Sequence, residues 1–209
     1  MYYNFSGFIW SPGKKFVNEI LEYINKDFPV LHYYEFTFNN KELFEKSILE
    51  IYSTDDIDPQ KVKNVKIKNI VNHGFSYVYF KFYIKDKNYI KKNLTNNNIS
   101  QTVESLKKYI RNKYKHNIPN YIHDILIHIS DNNVQTNQID HIINKNYINN
   151  ITNEYINLKY FLVKNIKYNL FNRCDMIIRK IAVEKYIQDK NFNFDLIKLK
   201  EELLISDNI

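Results

Sequence analysis

An α+β fold built on a four-stranded antiparallel sheet is what this sequence predicts, and three observations point to it. Residues Phe75 to Ile84 alternate: Val78, Phe80, Phe82 and Ile84 fall on one side, Tyr77, Tyr79 and Lys81 on the other. That is the period-two pattern of a strand. Apolar stripes at helical spacing stand between strand-like runs rather than in a block of their own, as in Phe16, Val17, Ile20, Leu21 and Ile24. Apolar residues make up 44% of the 209, with 18 Tyr and 14 Phe, so the chain can bury a real and largely aromatic core.

The elements follow in order. Phe5 to Trp10 reads as a short buried strand, and Ser11-Pro12 as the N-cap and first turn of a helix. Asp27-Phe28-Pro29 breaks that helix before a strand over Val30 to Phe38, rich in aromatic and β-branched residues. Asn39-Asn40 caps a helix with Leu43, Phe44, Ile48, Leu49 and Tyr52 on one stripe. Gln60 to Val71, opened by Pro59, suits helix or strand, with lysines at 61, 63, 66 and 68 between apolar residues. Lys85 to Asn98 is polar and reads as a loop with a short helix. Ser100 caps a helix carrying Val103, Leu106 and Ile110, Tyr121 to Ser130 is the fourth strand, and Asp131 caps the helix after it. The series reduces to βαββαβ, the ferredoxin-like split unit, with a helical pair inserted before the third strand and helices on one face of the sheet. Residues 1–150 form this domain. After Glu154 the pattern is helical, so 151–209 is expected to be a helical extension, with Leu162, Ile166 and Leu170 on one face and Ile177, Ile178, Ile181, Ala182 and Tyr186 on another.

Composition narrows the function. The net charge of +7 favours acidic partners, nucleotide or nucleic acid, over a neutral ligand, although a solvated lysine surface gives the same number. Three glycines argue against a glycine-rich phosphate loop. A single cysteine, Cys174, leaves no internal disulfide framework and suits the cytoplasm or another reducing compartment. No stretch approaches the ~20 apolar residues of a membrane span.

The chemistry concentrates at Ile125-Leu126-Ile127-His128-Ile129-Ser130-Asp131-Asn132. An apolar strand runs into a lone histidine and then into a helix start. This places an imidazole at the open end of the sheet, with Ser130 and backbone N–H groups suited to an anion beside it. Histidine is the side chain that attacks a phosphoryl group at neutral pH. A hydrogen-bonded structural histidine fits the same position, as a solvated basic face fits Arg111 and a core stripe fits Tyr52. His123, His128 and His141 lack the further ligands of a zinc set, so no side-chain metal site is expected. The acidic run Asp55, Asp56 and Asp58 reads as a capping turn. Tyr77, Tyr79 and Lys81 on one strand face also resemble an RNA-stacking platform.

Taken together, these residues resemble the nucleoside diphosphate kinase family over roughly residues 5 to 145. The family's site reads Asn-Ile-Ile-His-Gly-Ser-Asp-Ser, similar to the stretch around His128. Its Lys-Pro-Asp-Gly after the first strand is similar to Ser11-Pro12-Gly13, with Lys14 and Lys15 behind. Its tyrosine after the second helix matches Tyr52, and its Ile-Arg-Gly-Asp-Phe resembles Ile110-Arg111-Asn112-Lys113-Tyr114.

The resemblance implies a nucleotide-dependent phosphotransferase working through a phosphohistidine. His128 would be the nucleophile. Arg111, Tyr52, Lys14, Lys15 and Ser130 would meet phosphate or nucleotide, and Mg²⁺ would bridge the phosphates of a nucleoside triphosphate. The extension is expected either to pack on this core or to mediate assembly into a homo-oligomer. The chain departs from the family at four places. Ser11 replaces a lysine, whose charge falls to Lys14 or Lys15. Ile129 replaces a glycine and Ile125 an asparagine. Ile139 replaces the glutamate that orients the histidine, leaving that task to Asp140. These departures imply an altered substrate or reduced activity. The alternatives are a non-catalytic module for nucleotide or RNA, and a structural protein that keeps only the fold.

Overall fold

A computed structural model of the protein describes residues 3–84, 89–92, 98–122, 124–145 and 156–162. The first strand, β1 (Tyr3–Trp10), runs into a 3₁₀ turn over Ser11–Phe16 and then into α1 (Val17–Asp27). Ser11 does not cap this turn. Its hydroxyl serves the carbonyls of Gly74 and Ser76, both at 2.7 Å, and so ties the end of β1 to the start of the third strand. After β2 (Val30–Phe38), α2 (Lys41–Tyr52) is capped by Asn40, whose side chain accepts from the Leu43 N–H at 3.1 Å. The inserted segment is helical throughout: α3 (Pro59–Lys61), a π-helical turn over Val62–Ile67, and α4 (Lys68–Val71). Asp58 caps it by accepting from the Gln60 N–H.

After β3 (Ser76–Ile84), β4 (Tyr89–Lys92) and β5 (Asn98–Ser100) pair antiparallel, so strand replaces loop or helix there, while the rest of the expected loop, 85–88 and 93–97, lies outside the described residues. α5 (Gln101–Tyr114) follows, capped by Ser100 as expected. The fourth strand of the unit, β6, is only Ile127–Ile129. Asp124 holds a positive φ of 56°, which breaks the extended run foreseen from Tyr121. α6 (Asn133–Ile143) is capped by Asn132 rather than Asp131, because the Asp131 carboxylate is taken by Lys107. Among the described residues, no helix is long and apolar enough to cross a membrane.

The sheet order is β6-β1-β3-β2, antiparallel throughout, which is the ferredoxin-like arrangement. A fifth strand, β7 (Ile156–Leu162), pairs with β2, setting Tyr160 opposite Tyr34 and Leu158 opposite Phe36. The helical reading after Glu154 is therefore corrected for Ile156–Leu162. The outer edge of β2 offers a row of unpaired backbone groups, and a segment alternating Ile, Leu and Tyr with Asn and Lys satisfies them. This compact unit ends at Val163. The helical stripes expected from Ile166 to Tyr186 lie outside the described residues.

Helices cover both faces of the sheet, not one. Phe5, Ile9, Val78, Phe80 and Phe82 are fully buried on the first face. α1 and α5 pack there, joined by a Tyr23–Tyr109 ring stack at 4.4 Å and a Tyr114 hydroxyl donating to Glu19. On the second face, Phe8, Trp10, Tyr77, Tyr79 and Phe36 are equally buried. α2 covers them through Phe44 and Tyr52, and α6 through Thr136 and Asp140. A sheet apolar on both sides needs two layers of cover. The second layer buries Tyr77 and Tyr79, so neither ring is available as an RNA-stacking platform.

Candidate functional site

His128 lies on β6 opposite Phe8 of β1. Its ring sits among Tyr52, Phe8 and Trp10, with centroids 4.9, 6.2 and 6.5 Å away. Residue exposure is only 6%, so the imidazole is not at an open sheet end but under the C-terminus of α2. Its Nε2 is buried without a hydrogen-bond partner and stands 3.8 Å from Asp55 Oδ1. Burial lowers the imidazole pKa well below its ordinary value, and the charges of Lys107, Lys66 and Arg111 push it the same way. At neutral pH the ring is uncharged, the form that carries a nucleophilic lone pair.

The charges of three cations from two elements act on this ring. Lys107 of α5 is buried and pairs with Asp131 at 2.7 Å and Glu104 at 2.5 Å. Arg111, one turn on, donates to the Ile127 carbonyl at 3.1 Å and pairs with Asp124 at 3.3 Å. It thereby braces the strand residue that precedes the histidine. Lys66 comes from the π turn, its ammonium 5.1 Å from the centre of the Tyr52 ring. The Tyr52 phenol is raised in pKa, by burial first and by Asp55 next, and stays a neutral donor.

The structure thus brings together three of the residues singled out in the sequence: His128, Arg111 and Tyr52. The others lie elsewhere. Lys14 pairs with Glu35 at 2.5 Å, and Lys15 donates to the Asn117 carbonyl at 3.0 Å and covers Phe16. Ser130 is fully buried, bonded to the Ser6 N–H and to Thr136, and pins β6 to β1 and α6. Asp140 accepts from Ser6, Tyr79 and Lys81 across the second face of the sheet, and so is not the group beside the imidazole.

Asp55 takes that position, and sequence reasoning missed it. In the acidic run only Asp58 caps a helix. Asp55 turns inward, where it accepts from Gln135 Nε2. Gln135 also donates to Thr54 and accepts from the Asp131 N–H, holding the 53–55 turn against α6. Burial, then the Asp131 charge, raises the Asp55 pKa to about 7. A cleft of about 650 Å³ opens on its far side, lined by Thr54, Asp56, Asn98, Asn132 and Asn133 as well as Asp55 and Gln135. A smaller cleft of about 430 Å³ reaches Arg111 and Asp124 from the other flank.

The two titrating groups pull stability in opposite directions. A carboxyl raised from 3.8 to about 7 binds its proton more tightly in the folded chain, so its contribution is lost as pH rises through about 7. An imidazole lowered well below 6.5 contributes stability that is fully present above 6.5 and is lost as pH falls below it. Asp55→Asn removes only the first. The variant is expected to gain more stability than the parent between pH 5 and pH 8, read as urea midpoints. Parallel profiles would contradict the assignment.

No protein-family model matches the chain, and no curated protein does. Among solved structures, the chain is similar to an orthorhombic crystal form of the Aquifex aeolicus nucleoside diphosphate kinase. That match has a TM-score of 0.41 and 12% identity over 68% of this chain and 95% of the other. It is also similar to a Borrelia burgdorferi nucleoside-diphosphate kinase solved with vanadate and ADP as a transition-state mimic. There the TM-score is 0.41 and the identity 13%, over 83% of this chain and 96% of the other.

Proposed function

We propose that the protein is a nucleotide-dependent phosphotransferase of reduced or altered activity, in which His128 carries the phosphoryl group. One observation carries the reading: a neutral imidazole with an unpartnered Nε2, set among a phenol and the charges of Lys66, Lys107 and Arg111. In the transfer, a lone pair of the ring forms the N–P bond. The bond from the γ-phosphorus to the bridging oxygen breaks, and its electron pair leaves with the nucleoside diphosphate. Arg111 and Lys66 would offset charge on the transferring group, and Tyr52 would donate to one of its oxygens. Among the described residues, no three His, Cys, Asp or Glu side chains converge. A Mg²⁺ arriving with the nucleotide would neutralise phosphate charge.

The full chain incubated with γ-labelled ATP and Mg²⁺ is expected to take up acid-labile label, and His128→Asn to take up none while keeping its melting temperature. Label retained in the variant, or none in the parent with any common nucleoside triphosphate, overturns transfer. A second reading, a descendant that binds nucleotide without transfer, is favoured by Asp55 standing between Nε2 and the larger cleft. It predicts that the parent melts at a higher temperature with nucleotide while remaining unlabelled.

A further inference from the structure

We infer that Lys66, turned inward by the π turn that carries it, is the cation that holds the ligand's terminal phosphate beside His128, and that the Asp55 carboxylate occupies this seat while it is empty. The inference rests on the reading of His128 as the centre of a phosphate-handling site.

The backbone supplies the first argument. Val62 and Ile67 are both buried, at 1% and 2% exposure, although they stand five positions apart. At about 100° per residue an α-helix would set them roughly 140° apart. The π turn over Val62–Ile67 brings both to the core side, and Lys66, next to Ile67, is carried to the inner edge with it. Lys61, Lys63 and Lys68 of the same run remain exposed. The basic run is therefore a solvated face with one member withdrawn from it.

The second argument is the state of the partners. Lys107 and Arg111 are each matched by carboxylates, Asp131 and Glu104 for one and Asp124 for the other. Among the described residues Lys66 has no ion pair, only the face of Tyr52. A half-buried ammonium without a counter-ion is costly, and an arriving anion would repay that cost. The third argument is the orphan nitrogen. Nε2 of a 6% exposed histidine has no hydrogen bond, and the Asp55 carboxylate stops 3.8 Å short of it. Asp55 accepts from Gln135 and stands 3.8 Å from the imidazole, and its charge acts on Lys66 from beyond ion-pair distance, as that of an oxyanion in its place would. It also forms part of the wall of the 650 Å³ cleft, so displacing the 53–55 turn would open that cleft to His128.

The test uses the full chain and measures binding rather than transfer. ADP and inorganic diphosphate are titrated by calorimetry without Mg²⁺ into the parent, Asp55→Asn, Lys66→Met and Lys66→Arg, with melting temperatures as the control for folding. Removing the competing charge with the near-isosteric Asp55→Asn is expected to tighten ADP binding about tenfold. Lys66→Met should weaken it at least about tenfold, and Lys66→Arg should restore most of the loss. Diphosphate binding as tightly as ADP assigns the seat to a free polyphosphate; weaker diphosphate binding assigns it to a nucleotide. Unchanged ADP affinity in folded Asp55→Asn and Lys66→Met overturns the inference, even if His128 becomes labelled. The expected shifts without any label would support it and remove only transfer.

Discussion

Replacing Asp140 by alanine is expected to cost about 3 kcal/mol of stability, the loss that follows when one partner of a buried ion pair is removed. Asp140 is 16% exposed in its side chain and Lys81 18%, and the two form an ion pair across the second face of the sheet. The same carboxylate accepts from the Tyr79 hydroxyl at 2.6 Å and the Ser6 hydroxyl at 2.5 Å. Without it, one ammonium and two hydroxyls lose their acceptor in a place water reaches poorly. Asp140→Asn keeps one acceptor oxygen but not the charge, and should fall between alanine and the parent. Urea midpoints at constant slope measure the series. An alanine variant within about 0.5 kcal/mol of the parent would show that Lys81 swings out to solvent, as an exposed pair would allow.

The role of Asp140 shows where sequence reasoning reaches its limit. Three strands and four helices of the domain were legible because period-two alternation and 3.6-residue stripes are local patterns, and two of the caps, Asn40 and Ser100, are local too. β7 was misread as helix although Ile156-Asn157-Leu158-Lys159-Tyr160 alternates. A strand's tendency is settled by the edge it meets, here the outer side of β2, more than than by its own residues. The short β6 was overextended because Asp124 leaves the extended region through a φ value no apolar pattern reveals.

The candidate site was legible only in part, for the same reason. His128 stood out because a lone imidazole interrupts an apolar run, and Arg111 and Tyr52 because they fall at family-like positions. Which carboxylate meets the imidazole depends on how α2, its following turn and α6 pack, a long-range matter. Asp140 lies near His128 in the chain yet points across β1 and β3, while Asp55, far away in sequence, arrives through Gln135. Lys66 had no signal in composition, being one lysine in a run of four. The two buried apolar residues five apart, Val62 and Ile67, were the trace that could have revealed its turn.

Gly7→Ala is expected to cost about 1–3 kcal/mol by overpacking. Gly7 sits directly opposite Phe80 in the β1–β3 ladder. The Phe80 ring lies over the bare backbone there, so a Cβ would enter the van der Waals envelope of the ring carbons. Phe80 is 0% exposed and 5.9 Å from the ring of Phe82, so it has no open space into which to retreat. The alternative source of a cost at glycine, a left-handed backbone, does not apply, because Gly7 lies within a regular strand. This separates the two explanations by experiment. If the ring is the obstacle, shortening it to leucine must recover part of the loss, and the double variant Gly7→Ala, Phe80→Leu should be more stable than the sum of the single changes predicts. Additive free energies would place the strain in the strand itself, and with it the reason this sheet keeps a glycine at its centre.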